Sequence, residues 1–583
     1  MPEPELSFNL VDERWIPIVL ASGEPAEVSL RELFADPAAI RDLHDDSPLV
    51  TVSLLRLLLT IVMAAQPWRG AGAPKRKKLW REWWPNKTLP LAQINAYLDE
   101  WHGRFDLFDA QHPWMQTPTL TVEGAPDSIL RLCFEEWFAG AFSFPENTMW
   151  QSVSSALAIR LLLATQSFSK GLGISSDAKI HGKFLPIPDN ADAPTLRGVT
   201  IWHSGKNLQE TLLLNLFPSE HLSLDCPSWE ADAAYEWRDR SLAEDTGRIG
   251  IKQDKRKRKP VESPKGPMDI FTWQSRLLRL LPGIENSQLV VRDVYFTQGR
   301  SLENVMGQVS FFDPMKLYIQ SDEGFRKLSL DADKATWRDV HAFLQVARRE
   351  SGGEHGLAAT RWLAESGMVE NHQQIKLNVV GLATLPAKDG KQAKAAKFLL
   401  WRHDTFNLPM VFLQNEERAN RVKLALINAE SLGKDLYRKI HDLVYVFFYP
   451  NSETNRYEEA KGKMKKEERK KVDKLADAFD PRRAFWPRLE ARFERFLREL
   501  AASDDLHAPV ESWLDDIEGE ARRCFRESRA QLGDQFRSYR GAVISDFFQT
   551  PARFQQTPKK NSSAPAPASQ GTLALEFPTG GDV

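Results

Sequence analysis

The sequence predicts an α+β protein. A large loop-rich mixed N-terminal domain (1–404) is followed by an all-α four-helix bundle (405–556) and a disordered tail (557–583). Three observations lead there. Up to about residue 400 there is no repeated βαβ rhythm: strand-like runs such as NLVDERWIPIVL, QLVVRDVYF and KLYIQ alternate with helical stretches and irregular Pro-, Gly- and Asn-rich segments. Beyond about residue 405, apolar residues recur at helical spacing over long stretches. The end, PKKNSSAPAPASQGTLALEFPTGGDV, has linker composition.

Length and composition set the outer limits. At 583 residues the chain exceeds one ordinary core, so two or three domains are expected. Hydrophobic residues at 42%, with 18 Trp, can fill large cores and exclude a disordered protein. A net charge of −2, from 77 basic and 79 acidic residues, excludes a chain-wide basic field, so any nucleic-acid contact must come from local patches. Cys133, Cys226 and Cys524 are far apart and form no CxxC pair, which argues for a reducing compartment and against a disulfide framework or cysteine-ligated zinc.

The N-terminus, MPEPELSFNL, lacks the features of a signal peptide. The longest apolar stretch, LVTVSLLRLLLTIVMAA (49–65), is interrupted by Thr51, Ser53, Arg56 and Thr60. It reads as a buried helix rather than a membrane span, with Ser47 as N-cap and Pro48 at the first helical position. The expected location is cytoplasmic, with no membrane partner.

In the C-terminal part, 414–448 reads as helix up to Pro450. FWPRLEARFERFLREL places Phe485, Leu489, Phe493, Phe496, Leu497 and Leu500 on one face. ESWLDDIEGEARRCFRES does the same with Trp513, Ile517, Ala521 and Cys524. A segment around 530–549 is expected to close the bundle. The charged run EEAKGKMKKEERKKVDK (458–474) reads as a solvated helix face.

Motifs for catalysis are lacking. Twelve histidines form no HxxxH, HExxH or HxH pairing, and there is no phosphate-binding GxxxxGK[ST] loop and no GxSxG elbow. SGGEHG (351–356) does not fit a dinucleotide fingerprint, and Asp45-Asp46 and Asp504-Asp505 read as turn or cap residues. The chemistry points to binding rather than catalysis.

Six blocks occur in order: FNLVDERWIPIVLASGEPAEVSLRELF, DSPLVTVSLLRLLL, RFDLFDAQHPWMQTP (104–118), TLLLNLFP (211–218), FTWQSRLLRLLP (271–282) and QAKAAKFLLWRHDTFNLP (392–409). Together they resemble the CasA family, the large subunits of the type I-E CRISPR surveillance complex called Cascade. The resemblance runs from about residue 8 to about 409. It implies a non-enzymatic subunit in contact with the other Cascade subunits and the 5′ handle of the CRISPR RNA. It further implies recognition of the protospacer-adjacent motif in double-stranded target DNA, mainly from the minor groove, strand opening that starts R-loop formation, and docking of a helicase-nuclease effector.

The resemblance also implies site residues. Lys391, Gln392 and Ala393, followed by Lys394, match the family's DNA wedge. A glutamine can replace base-edge hydrogen bonds, a small neighbour permits close approach, and lysines neutralise phosphates. The plain alternative is an exposed basic loop. In SFSKGLGISS (167–176), Lys170, Gly171, Leu172, Gly173 and Ser175 match the glycine loop, where a missing Cβ admits a minor groove; the alternative is a helix C-cap at Gly171. Phe142, Ser143 and Phe144 match the family's mobile loop, or are core. Arg300 is the nearest candidate for the basic finger. IKQDKRKRKP (251–260) and KRKK (75–78) could track phosphates or be solvated loops, and HPWMQ (112–116) reads as packing. The cysteine pairs that could hold zinc in some members are missing, so no metal and no cofactor are expected. Two other readings stay open: a large subunit of another type I subtype or a scaffold without motif readout, and a free-standing metal-dependent nuclease.

Overall fold

The computed structural model describes residues 6–122, 124–133, 152–171, 178–180, 182–184, 191–219, 225–230, 261–302, 311, 313–321, 324–330, 334–347, 356–371, 373–384 and 398–533. Among them the chain divides into two compact units on either side of the Gln414–Asn415 junction.

The first unit is mixed α and β. Its N-terminal sheet has the order β2 (Pro25–Val28), β1 (Ile16–Leu20), β3 (Ile40–Leu43), all antiparallel. Between β2 and β3 lies α1 (Leu30–Ala35), held by a capping box in which Ser29 and Glu32 satisfy each other's backbone N–H groups. Next comes α2 (Pro48–Ala64), buried along its whole length, as the interrupted apolar run predicted. Pro48 opens the helix, but the Ser47 side chain makes no cap hydrogen bond. Arg56, 1% exposed, places its guanidinium over the Phe271 ring and pairs with Asp313 at 2.9 Å.

Two further sheets carry the loops of interest. A 14-residue helix, α3 (Ser155–Phe168), starts where the Ser154 hydroxyl accepts the Leu157 N–H. It is followed by β4 (Thr200–Ser204), then the hairpin β5 (Arg276–Glu285) and β6 (Gln288–Gln298). Asn286 and Ser287, both at positive φ, make the two-residue turn whose twist matches the strands. A small hairpin pairs β7 (Tyr318–Ser321) with β8 (Gly324–Lys327). Finally β9 (Gln374–Thr384) and β10 (Phe398–Pro409) form a long antiparallel pair with β4 on the outer edge of β9.

The boundary expected after residue 404 falls inside β10. The strand runs on to Pro409 because its ladder to β9 continues to the Gln374–Pro409 pair. HPWMQ is packing, as expected: Trp114 is 1% exposed, and the Gln116 side chain donates to Leu107 O and accepts from Leu280 N.

The second unit is helical. It contains α4 (Glu416–Phe448), α5 (Lys466–Ala478), α6 (Arg482–Ala502) and α7 (His507–Gln531). The six apolar residues assigned to one face of α6 and the four of α7 are all buried. α5, which carries the second half of the charged run, buries only Val472 and Ala476 and packs against α4. Gly433 of α4 lies so close to Trp486 of α6 that a Cβ there would stand 2.4 Å from the ring. The segment around 530–549 expected to close the bundle lies outside the described residues beyond Gly533.

Candidate nucleic-acid interface

The described part of the glycine loop begins where α3 ends. The helix is capped at Ser169, whose backbone is extended (φ −61, ψ 137), and Ser169 N donates to Thr165 O. The C-cap reading of Gly171 is thereby corrected: the helix has already stopped two residues earlier. Gln166 locks this end to β5, its side chain donating to Arg276 O at 2.9 Å and accepting from Arg276 N at 2.9 Å.

Residues 191–199 run beside Ser167–Gly171. Thr195 N donates to Ser167 O at 3.0 Å, Ala193 N to Ser169 O at 2.8 Å, and Gly171 N to Asp192 Oδ1 at 3.0 Å. The last carbonyls of a helix carry partial negative charge, and two of those around the end of α3 are satisfied by this segment.

Three cationic side chains hold the segment's other side. Lys316 Nζ, in a fully buried residue, donates to Thr195 O at 2.7 Å and Gly198 O at 2.8 Å. Half-buried Lys327 donates to Pro194 O at 2.9 Å, and Arg276 to Ala191 O at 3.1 Å. Gly198 is at φ +78, and a Cβ there would meet Lys327 Cβ at 2.5 Å, so this close approach requires glycine. Burial pushes the Lys316 ammonium well below the ordinary lysine range, lowers Lys327, and brings Arg276 down to about 10. At neutral pH Arg276 therefore still carries its charge. The result is a strip of backbone held by three long donor side chains, of which Arg276 is charged at neutral pH. Burial lowers the pKa of Lys170, with Asp192 opposing the shift and Arg197 adding to it.

The other expected site residues fall as follows. Leu172, Gly173 and Ser175 of the glycine loop lie outside the described residues, as do Phe142, Ser143 and Phe144, and the wedge Lys391, Gln392, Ala393 and Lys394. The wedge belongs to the segment joining β9 to β10, whose strands pair up to Thr384 and Phe398. Below it, the Trp-Arg-His-Asp stretch is structural: Arg402 donates to Lys334 O at 2.9 Å and pairs with Asp404, and His403 stacks on Trp202.

Arg300 is not a presented basic finger. Its guanidinium pairs with Asp269 at 2.6 Å and lies over the Trp273 ring at 3.6 Å, with its side chain 15% exposed. A paired, stacked and desolvated guanidinium is committed to the fold. KRKK is helical rather than a loop, and buried Arg76 donates to Trp68 O and Ser219 O. IKQDKRKRKP lies outside the described residues.

Sequence reasoning missed Lys316, Lys327 and Arg276. A signal existed for the first: a lysine opening the strand-like KLYIQ run. Among the described residues, no group of three or more His, Cys, Asp and Glu could hold a metal ion, and no helix is long and apolar enough to cross a membrane.

A mixed α/β unit and a unit of long helices define a large subunit of the Cse1 architecture. The family model for CRISPR-associated protein Cse1 matches residues 9–524, and the chain belongs to that family, the CasA large subunits of type I-E Cascade. It is 27% identical over 530 residues to the CRISPR-associated protein CasA/Cse1 of Thermus thermophilus, a match covering 90% of this chain and 93% of the relative. A crystal structure of Thermus thermophilus CasA superposes with a TM-score of 0.68 at 24% identity, covering 93% of this chain and 98% of the other. Cse1 from Acidimicrobium ferrooxidans gives 0.68 at 22%, covering 93% and 97%. A chain of a CRISPR RNA-guided surveillance complex gives 0.61 at 18%, covering 91% and 100%. These structural likenesses establish the fold.

Proposed function

We propose that this chain is the DNA-sensing subunit of its Cascade complex and is not itself an enzyme. In this reading it contacts the 5′ handle of the guide RNA and the neighbouring subunits. It reads the protospacer-adjacent motif of duplex DNA mainly from the minor groove, and Gln392 wedges the first base pair open. A helicase-nuclease then docks on the assembled complex. Lys391 and Lys394 hold phosphate, and the glycine loop from Lys170 lies along the groove.

One observation carries the reading: the end of α3 and residues 191–199 form a braced strip, held by hydrogen bonds from the side chains of Lys316, Lys327 and Arg276, from which the chain continues into the glycine loop. Minor-groove readout needs backbone held at close approach, which this strip supplies, and positive potential nearby, to which Arg276 contributes. The long β9–β10 ladder supports the wedge in the same way, since unstacking a base step costs a few kcal/mol and a loose support would yield first. The test is reconstitution of the complex with and without the chain, followed by binding to duplexes that differ only at the motif. Metal-dependent cleavage by the isolated chain would instead favour a nuclease.

A further inference from the structure

Asp192 occupies a position whose donors suit a phosphate. Its Oδ1 accepts the Gly171 N–H at 3.0 Å, and its Oδ2 accepts from the Arg197 guanidinium. Lys170 lies within electrostatic reach of both side chains. Asp192 keeps 24% of its side chain exposed and Arg197 63%, so the group opens to solvent. A glycine N–H, a guanidinium and a nearby ammonium are the recurrent donors to nucleic-acid phosphate oxygens, and a carboxylate is the closest protein mimic of that acceptor. The strip behind is fixed: Arg276 donates to Ala191 O, next to Asp192, and Ala193 N, on the other side, donates to Ser169 O.

We propose that Arg197 and the Gly171 N–H form a phosphodiester-binding site in which the Asp192 carboxylate stands in for a backbone phosphate of DNA until the duplex displaces it. This rests on the reading that the loop beginning at Lys170 meets DNA. An exposed ion pair contributes little to stability, so exchanging one acceptor for another at Arg197 is a small step. The Asp192 charge then acts as a threshold: it repels a duplex that is poorly placed, and gives way to one held by contacts elsewhere.

The test uses the reconstituted complex and a motif-bearing duplex over a salt series. Asp192→Asn keeps an acceptor for the Gly171 N–H and removes the charge. It is expected to raise affinity about three- to tenfold at low salt, because no carboxylate then has to be displaced from Arg197. The gain is expected to disappear in Asp192→Asn/Arg197→Gln. Arg197→Gln alone, at an exposed position, is expected to flatten the slope by about 0.9 with an unchanged melting temperature. An unchanged or weaker affinity in Asp192→Asn, or an unchanged slope in Arg197→Gln, overturns the inference. If Lys170→Ala weakens binding while both Asp192 and Arg197 variants are silent, this inference fails alone. If motif discrimination persists without the chain, the proposed function fails and takes the inference with it.

Discussion

Arg56 and Asp313, far apart in sequence, form an ion pair at 2.9 Å with 1% and 5% of their side chains exposed. Arg56 also donates to Ile270 O at 3.2 Å, and Asp313 Oδ1 accepts from Met315 N at 3.0 Å. The pair holds the turn that leads to Lys316, which binds the carbonyls of Thr195 and Gly198. Removing one partner leaves the other charge buried, which typically costs about 3–5 kcal/mol. Arg56→Met is therefore expected to lower the stability of the chain by that amount in chemical denaturation. Arg56→Met combined with Asp313→Asn is expected to recover part of the loss; a double variant less stable than the single one would contradict a paired role.

In the helical unit, Gly433 exists for proximity. Alanine there would gain about 1 kcal/mol of helix propensity, but its Cβ would stand 2.4 Å from Trp486, and overpacking costs about 1–3 kcal/mol. Gly433→Ala is expected to lower the melting temperature. Gly433→Ala in a Trp486→Ala background is expected to raise it relative to Trp486→Ala alone. Equal effects in both backgrounds would show that the ring is not what forbids the methyl group.

His203 gives a pH signature. It is fully enclosed between Asn215 and Thr360, and burial pulls its imidazole down to about 4 from an ordinary 6.5. The folded state therefore favours the neutral ring. Stability from this group is complete above about pH 6.5 and is lost as pH falls from there towards 4. His203→Gln is expected to be less sensitive to acid across that window when compared with the parent chain at each pH. A parallel fall for both chains would mean that the fold does not hold His203 neutral.

At the wedge, Gln392→Ala is expected to slow strand opening, read by a fluorescent base at the first pair, more than it weakens initial duplex binding. Equal opening rates would remove Gln392 from the role. Lys391→Ala and Lys394→Ala are expected to reduce affinity similarly for all sequences, each flattening the salt slope by about 0.9.

Much of the fold was legible because it is local. Helical spacing exposed the buried faces of α6 and α7, and the polar interruptions of the 49–65 run marked α2 as core. What stayed hidden depends on partners distant in sequence. Arg300 looked like a presented charge because Asp269 and Trp273 meet it only after the chain folds back. Lys316 and Lys327 were not singled out, since nothing local shows that the carbonyls of 194–198 will be brought to them. The start of the helical unit was placed early because β10 reads FLLWRHDTFNLP, four apolar and then four polar residues without a period of two, and its strand character comes from its ladder to β9. The Asp192–Arg197 pair and its bond to Gly171 N were not legible in the sequence.

The most direct measurement of the central claim is a band-shift comparison of the complex reconstituted with and without this chain, on duplexes differing only in the protospacer-adjacent motif. With the chain, affinity is predicted to depend strongly on the motif; without it, cognate and altered duplexes are predicted to bind alike. Discrimination that survives removal of the chain would contradict the account.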